Sequence, residues 1–506
     1  MRLYDLVAGC PVPIQVRGDG NVDIVGVVDD SRQVGAGDLF VARMGAHTHG
    51  ACFLAEAIRR GAAAILTETP VPAAANGCAS LYTEQPAAAL GFLAHRIRGE
   101  PARQMSIFAV TGTNGKTTIT YLVRSVMAAA GRPCGLIGTV QIDDGRQVVD
   151  SAMTTPGPVE LARWLAAMCD HGVTAVALEA SSHALTQNRL AGLNVHVAMF
   201  SNLTGDHLDY HGSMEAYAAA KARLFEALLP ESFAVVNADD PYARRMVQAS
   251  PARVVSYGLD QKADFSATIR QLDAAGMDLL LRGPHDEPRA MRSHLVGRHN
   301  ALNILCAAAA ARCAGVSWPH ILAGVQNVTG VPGRLQPVAP AGVNPADLPF
   351  HVVVDYAHTH DALANVLRAI RPWTRGRIIC LFGCGGDRDA AKRPQMAAVA
   401  EGLANVTIVT SDNPRSEDPD EIIRMICTGF STSMGARLHV QPDRAKAIAL
   451  AIKMAEPGDV VLLAGKGHEK YQIVRGVKRP FDDVEEAQRA LAQRYPPVAT
   501  NTRKVR

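Results

Sequence analysis

The run Gly112-Thr113-Asn114-Gly115-Lys116-Thr117-Thr118 follows an apolar strand pattern at 106–110 and precedes a helical pattern reaching residue 130. Glycines let backbone N–H groups curl around phosphate oxygens, and the new helix adds its positive end. Lys116 can reach the β and γ phosphates of a nucleotide, and the Thr117 hydroxyl can ligate Mg²⁺. The spacing is Gly-x-x-Gly-Lys-Thr, with Val110 where the longer phosphate-loop pattern has its first glycine. A shortened phosphate loop is the reading, and an ordinary glycine turn is its alternative. Guanine-specific switches carry Asn/Thr-Lys-x-Asp. The nearest string here is Gln261-Lys262-Ala263-Asp264, which counts against a GTPase.

Glu179 closes the apolar run 173–178, inside Glu179-Ala180-Ser181-Ser182-His183. A carboxylate at a strand end beside a phosphate loop can hold Mg²⁺ directly or through water. His207 stands in Asp206-His207-Leu208-Asp209-Tyr210-His211, after the strand pattern 195–200. Alone it reads as a hydrogen-bonded loop histidine; beside the phosphate loop and Glu179 it becomes a candidate ligand. Lys221 lies in the helical pattern Lys221-Ala222-Arg223-Leu224-Phe225, where a solvated helix lysine is the plain reading.

These residues need elements to hold them. Strand and helix patterns alternate along the 506 residues, which predicts α/β layers with mostly parallel sheets. Three blocks are expected: 1–100, 101–335 and 336–506. Strand patterns fall at 22–28 in the first block and at 106–110, 173–178, 195–200 and 233–236 in the second. In the third they fall at 351–354, 377–382, 406–410 and 460–464. A helical pattern spans 51–60, a Pro/Gly-rich linker spans 331–349, and residues 500–506 read as a frayed basic end. The chemically loaded residues sit just past strand ends, the edge where open parallel sheets bind ligands.

Lys plus Arg number 51 and Asp plus Glu 48, so bulk positive charge does not carry nucleic-acid binding. Aromatics are 5%, which disfavours a base-stacking platform. The 10 cysteines form no C-x-x-C and read as reduced thiols. Met1-Arg2-Leu3-Tyr4-Asp5-Leu6 has an acid where a signal peptide needs an apolar stretch. No apolar run approaches the roughly 18 residues of a membrane span. A cytoplasmic protein with no membrane or nucleic-acid partner, and monomeric, is the expectation.

Seven motifs in one order resemble the Mur ligase family, ATP-dependent amide-forming enzymes of bacterial cell-wall precursor synthesis. They are Gly112 to Thr118, Glu179-Ala180-Ser181-Ser182-His183, Asp206-His207-Leu208-Asp209, Gly297-Arg298-His299-Asn300-Ala301-Leu302-Asn303, Pro332-Gly333-Arg334, Asp355-Tyr356-Ala357-His358-Thr359 and Asp412-Asn413-Pro414-Arg415. The resemblance spans almost the whole chain. It implies a small N-terminal α/β domain binding the UDP end, a central P-loop ATPase-like parallel sheet binding ATP, and a C-terminal Rossmann-like domain binding an amino acid. His360 stands where the family pattern has proline, and Thr48 where relatives often carry glutamine.

By the same resemblance, Gly112, Thr113, Asn114, Gly115, Lys116, Thr117, Thr118, Asn300, Asn303, Arg334, Asp355 and His358 bind ATP. Lys116, Glu179, His207 and Lys221 are catalytic. Thr117, Glu179, His207 and an N-carboxylated Lys221 hold Mg²⁺; a carbamate converts an ammonium into a cation ligand. Ser31, His47, Thr154, Thr155, Ser182, Gln187 and Arg189 hold UDP-N-acetylmuramoyl-L-Ala-D-Glu, with Arg32 and the loop 45–50 at its uridine-diphosphate end. Arg388, Asp412, Asn413, Arg415, Gly465 and Glu469 hold meso-diaminopimelate, and Asp412–Arg415 resembles the signature of members that choose it over L-lysine. Arg is well shaped to grip the extra carboxylate of diaminopimelate. Closure of the amino-acid domain on the ATP domain, hinged at 331–349, is implied. Two alternatives are a folylpolyglutamate synthetase, which would share the ATP half, and a nucleotide-dependent switch without ligase chemistry. The N-terminal block with Ser31-Arg32 and the Asp412–Arg415 signature count against the first. The joint presence of Lys116, Glu179, His207 and Lys221 counts against the second.

Overall fold

The computed structural model describes residues 1–45, 48–71 and 77–495. His47 and the basic end at 500–506 lie outside the described residues. The chain divides into two compact units. The first is Met1–Leu203, His207–Ser266 and Asn303–Val325; the second is Thr204–Asp206, Ala267–Leu302 and Gln326–Arg506.

The first unit holds two sheets. The N-terminal sheet runs Gln15–Arg17, Ala79–Tyr82, Ala64–Thr67, Asp38–Val41, Gly26–Val28, parallel except for its first strand. Of the expected strand 22–28 only Gly26–Val28 joins the sheet, with Asp23 in a separate bridge to Arg2, and the expected helix 51–60 divides into a 3₁₀ turn, Gly50–Phe53, and the helix Leu54–Arg59.

In the second sheet Ser106–Thr111 lies between Ala175–Glu179 and Val197–Phe200, all parallel. Phe233–Asn237 and Arg253–Gly258 extend it on one side and Cys134–Ile137 on the other, again parallel. Antiparallel Gln141–Asp143 and Val148–Asp150 follow Cys134–Ile137. The central strands are buried on both faces, which is why they read as unbroken apolar runs and not as alternation. Each fully buried Val, Leu, Ile, Phe or Met side chain contributes on the order of 1.5–3 kcal/mol. Parallel pairing brings the C-terminal ends of Ser106–Thr111, Ala175–Glu179 and Val197–Phe200 to one edge.

The second unit contains a six-stranded sheet in the order Gln336–Val338, His351–Asp355, Val460–Ala464, Ile378–Phe382, Val406–Val409, Leu438–Val440. The linker expected at 331–349 is therefore not without structure, since Gln336–Val338 pairs antiparallel with His351–Asp355. The hairpins Gly276–Arg282 with Arg289–Ser293 and Tyr471–Val474 with Val477–Pro480 also belong to this unit, as does most of the strand Phe265–Asp273. Thr359 Oγ1 accepts from Ala362 N at 3.2 Å and caps the helix His360–Ile370, so this turn is anchored although His360 is not proline.

Candidate active site

In the first unit the phosphate loop leaves Ser106–Thr111 and enters the helix Lys116–Ala129. Gly112 has φ 145° and Gly115 φ 90°, backbone states that favour glycine. A Cβ on Gly112 would lie 1.9 Å from Ser201 Oγ, and one on Gly115 2.4 Å from Asn303 Oδ1. The neighbouring strand's exit clamps the loop. Thr113 N donates to Asn202 O at 2.8 Å, Asn114 N to Asn202 Oδ1 at 3.0 Å, and Ser201 Oγ to Asn114 O at 2.6 Å. Lys116 Nζ arches over the loop to Gly112 O (2.9 Å) and Thr113 O (2.8 Å). The helix N-terminus after Gly115 and the Lys116 ammonium are the groups of this loop that phosphate oxygens could use.

Lys221, on the helix Met214–Glu226, is 1% exposed, so the plain reading of a solvated lysine does not hold. Its Nζ donates to Gly112 O at 2.8 Å and stands 4.4 Å from the centre of the Tyr217 ring, one helical turn earlier. The Tyr217 hydroxyl is 3.3 Å from Thr113 Oγ1, and its ring packs against those of His211 (5.0 Å) and His207 (6.4 Å). Tyr217 therefore joins the phosphate loop, Lys221 and the histidine segment. Sequence reasoning missed it, although its spacing of four before Lys221 on a helix was a usable signal.

Glu179 is buried at the end of its strand. Its Oε1 accepts from Thr139 N and its Oε2 from Thr139 Oγ1, both at 2.9 Å. Thr139 Oγ1 lies 3.1 Å from Thr154 Oγ1. Thr155 Oγ1 donates to Glu179 O at 2.7 Å and accepts from Ser181 N at 3.1 Å. Arg189 NH1 donates to Thr155 O at 2.7 Å, and its Nε and NH2 donate to Gln187 Oε1 at 3.0 and 2.7 Å. Ser182 Oγ is 3.0 Å from His211 Nε2. Thr154, Thr155, Ser182, Gln187 and Arg189 thus form one connected group with Glu179 and the histidine segment. His183 rests on Tyr210 at 4.1 Å and His207 at 4.9 Å; burial, then the neighbouring His207 and His211, pushes it down to about 4.

Ser31 opens a 3₁₀ turn, Ser31–Gln33, and its Oγ donates to Glu56 Oε2 at 3.3 Å. Arg32 Nε and NH2 grip Asp30 at 2.9 and 2.8 Å, holding that carboxyl down at about 2. Asn303 faces Gly115 within the first unit, whereas Asn300, Arg334, Asp355 and His358 belong to the second.

In the second unit Asn300 Nδ2 donates to Val296 O at 2.8 Å. The Arg334 guanidinium lies 4.9 Å from the centre of the Tyr356 ring. Asp355 accepts from Leu335 N (2.7 Å) and Ala357 N (2.9 Å); burial raises its carboxyl, against the opposing charge of Arg334. His358 Nδ1 is 2.9 Å from Tyr356 O, and burial lowers its imidazole.

The Asp412–Arg415 segment follows the strand Val406–Val409. Asn413 Nδ2 donates to Glu469 Oε2 at 2.8 Å, and a Cβ on Gly465 (φ 110°) would come 2.8 Å from Asp412 Oδ2. Arg415 holds φ 53°; its N donates to Ile473 O at 3.0 Å and its NH1 to Gly386 O at 2.6 Å. Five of the six residues expected in the acceptor site are therefore in one place. Arg388 is exposed and joins them through its own loop, where Asp387 accepts from Ser416 Oγ at 2.5 Å and Asp387 N donates to Glu417 Oε1 at 2.6 Å. Arg393, also missed, is buried and braces that loop through Glu417 Oε1 (2.8 Å) and Gly385 O (3.3 Å). Its Lys-Arg-Pro context carried no chemical signal of its own.

Among the described residues no group of three His, Cys, Asp or Glu stands ready to hold a metal. No helix among them is long and apolar enough to cross a membrane.

Three family models match the chain: "Mur ligase family, catalytic domain" at 23–96, "Mur ligase middle domain" at 110–311 and "Mur ligase, glutamate ligase domain" at 333–467. The UDP-N-acetylmuramoyl-L-alanyl-D-glutamate–2,6-diaminopimelate ligase of Geobacillus kaustophilus is 42% identical over 500 residues, covering 98% of this chain and 100% of the relative. A solved structure of a ligase of that name is 34% identical, with a TM-score of 0.71, over 98% of this chain and 99% of the other. A MurF ligase from Thermotoga maritima in complex with ADP has a TM-score of 0.61 at 19% identity, over 93% of this chain and 98% of the other, a likeness of fold. With the phosphate loop, the lysine beneath it and the acceptor loop all in place, the chain belongs to the Mur ligase family.

Proposed function

We propose that this ligase joins meso-2,6-diaminopimelate to UDP-N-acetylmuramoyl-L-Ala-D-Glu, consuming ATP, in peptidoglycan precursor synthesis. The observation that carries the reading is the acceptor loop. Arg415 is held in a left-handed backbone state between Ile473 and Gly386, beside the Asn413–Glu469 pair. That places a carboxylate-gripping fork next to an ammonium-accepting carboxylate, which is the complement of an amino-acid head. Relatives aligned over 98% of the chain carry the name of this activity.

The γ-carboxylate of the D-glutamyl residue attacks the γ-phosphorus of ATP and gives an acyl phosphate with ADP. The diaminopimelate amine attacks the acyl carbon, and the tetrahedral adduct collapses to the amide and phosphate. Residues 1–100 take the UDP end, 101–335 ATP and 336–506 the amino acid. Lys116 and Arg334 offset the negative charge that the two anionic ligands bring together, and positioning supplies much of the rest. Gln187 Oε1 and Thr155 O hold the Arg189 guanidinium in place, which fixes a positive charge for the acidic dipeptide.

The donor set suits magnesium. Glu179 and Thr117 are hard oxygen donors and, with His207, would hold the ion, its other positions being taken by phosphate oxygens and water. An unmodified Lys221 is no ligand, while its carbamate is. Bound there, Mg²⁺ would neutralise phosphate charge.

The test is phosphate release from UDP-N-acetylmuramoyl-L-Ala-D-Glu, ATP and Mg²⁺ with either meso-diaminopimelate or L-lysine. Release with diaminopimelate is expected; release with lysine alone overturns the specificity.

A further inference from the structure

Lys466 follows the strand Val460–Ala464 and is fully buried. Its Nζ lies 3.3 Å from Asn413 Oδ1, 3.3 Å from Glu469 Oε2 and 3.8 Å from Asp412 Oδ1. An ammonium taken out of water needs such partners, because a buried charge left unpaired loses its hydration with nothing in return. We propose that Lys466 is a positioning residue that makes the acceptor pocket selective for an amino acid carrying a second, distal ammonium. This rests on the reading of that pocket given above.

The argument runs through Asn413. Lys466 Nζ is a donor only, and Ile473 N donates to the same Asn413 Oδ1 at 3.0 Å. Two donors on one side fix the amide, so its Nδ2 must point the other way, to Glu469 Oε2 at 2.8 Å. Glu469 Oε2 then receives both Asn413 and Lys466, while Oε1 has no hydrogen-bond partner among the described residues. One carboxylate oxygen is immobilised and the other is left to accept from a ligand. A ligand with two amino-acid heads uses one amine for the reaction and leaves the other for this oxygen, with Arg415 available for its carboxylate. L-Lysine lacks that carboxylate, and 2-aminopimelate lacks that ammonium. The two analogues therefore report on Arg415 and on Glu469 separately.

The test uses the full chain with ATP, Mg²⁺ and the UDP-dipeptide. The acceptors are meso-diaminopimelate and 2-aminopimelate, and the variants are Lys466→Met, Glu469→Gln and the double substitution. Lys466→Met is expected to raise KM for diaminopimelate roughly tenfold while KM for ATP and the UDP-dipeptide stays within about twofold, and to lower the preference over 2-aminopimelate. In the Glu469→Gln background the Lys466 substitution should change neither KM nor preference, since its route is already cut. This second comparison remains readable if Lys466→Met alone does not fold. A Lys466→Met enzyme with native KM and preference overturns the proposal. So does a double variant about tenfold worse than Glu469→Gln, which would make Lys466 a general structural support. Failure of the unsubstituted enzyme to use diaminopimelate would instead overturn the function proposed above.

Discussion

Lys221 Nζ donates to the Gly112 carbonyl at 2.8 Å, so a buried lysine touches the first glycine of the phosphate loop. Tyr217 lies under the same ammonium and reaches Thr113 with its hydroxyl. The lysine head is thus held from two sides at the place where metal and phosphate charge would gather. We expect Lys221→Ala to lower kcat on the order of 10²–10³-fold, the range for losing one preorganised electrostatic group. Short carboxylic acids, which can fill the vacated space with an anion, should restore part of the rate. Phosphate release with and without added acetate checks this, and full activity of the variant would end the carbamate role.

Gly112 and Gly115 make a separate prediction. Both have positive φ, and Cβ atoms there would strike Ser201 Oγ and Asn303 Oδ1. Gly112→Ala or Gly115→Ala should add about 1–3 kcal/mol of local backbone strain, beyond the clash, and deform the amide cradle. The ADP-induced rise in melting temperature should shrink sharply. An unchanged rise would show that the cradle is not the phosphate site.

The sheet-edge chemistry was legible in the chain because it is local. Gly112 to Thr118 spells its own loop, and the strand Val460–Ala464 matches its apolar run end to end. The partners of Glu179 were not legible. Thr139 is 40 residues away in sequence, and only the register of parallel strands brings it there. The pairing of Gln336–Val338 was missed because prolines and glycines dominate that stretch, yet an edge strand tolerates Pro337. Nor did Arg415 announce its left-handed backbone, since nothing in Asp412-Asn413-Pro414-Arg415 demands it; the anchor is Ile473, far along the chain.

That backbone state separates binding from stability at Arg415. A non-glycine residue at φ 53° carries on the order of 1–2 kcal/mol of strain. Arg415→Gly should therefore hold or gain stability, by up to ~1 kcal/mol in urea unfolding, while use of the acceptor collapses. Arg415→Lys keeps the charge but loses the planar fork, and KM for diaminopimelate should rise roughly ten- to a hundredfold. Equal acceptor kinetics in Arg415→Lys would argue that the side chain does not grip a carboxylate.

The buried pair Arg444–Asp483 predicts a cost without a catalytic signature. Arg444 Nε and NH2 reach Asp483 at 2.7 and 2.6 Å, both side chains are closed to solvent, and NH2 also donates to Ala464 O at 3.0 Å. Arg444→Met leaves the Asp483 carboxylate buried alone and should cost about 3–5 kcal/mol. The double variant Arg444→Met, Asp483→Leu should recover most of it. A single variant as stable as the native chain in urea would show that water reaches the pair.

His95 sets a pH dependence of stability. His95 is 2% exposed on the helix Pro86–Ile97, neither ring nitrogen has a hydrogen-bond partner among the described residues, and burial pushes the imidazole down to about 4. The unfolded chain titrates this group near ~6.5. Above that pH both states are neutral and His95 contributes no pH dependence. As the pH falls below 6.5 the unfolded chain takes up a proton that the folded chain refuses, so stability drops until about pH 4 and then levels. At pH 5 the loss from this residue is about 2 kcal/mol. His95→Leu removes the titrating group and fills the same apolar surroundings, so the loss between pH 7 and pH 5 should be smaller by that amount. Urea unfolding of both proteins at the two pH values measures it. Identical pH slopes would mean that the folded state opens enough to protonate His95, contrary to its closed packing.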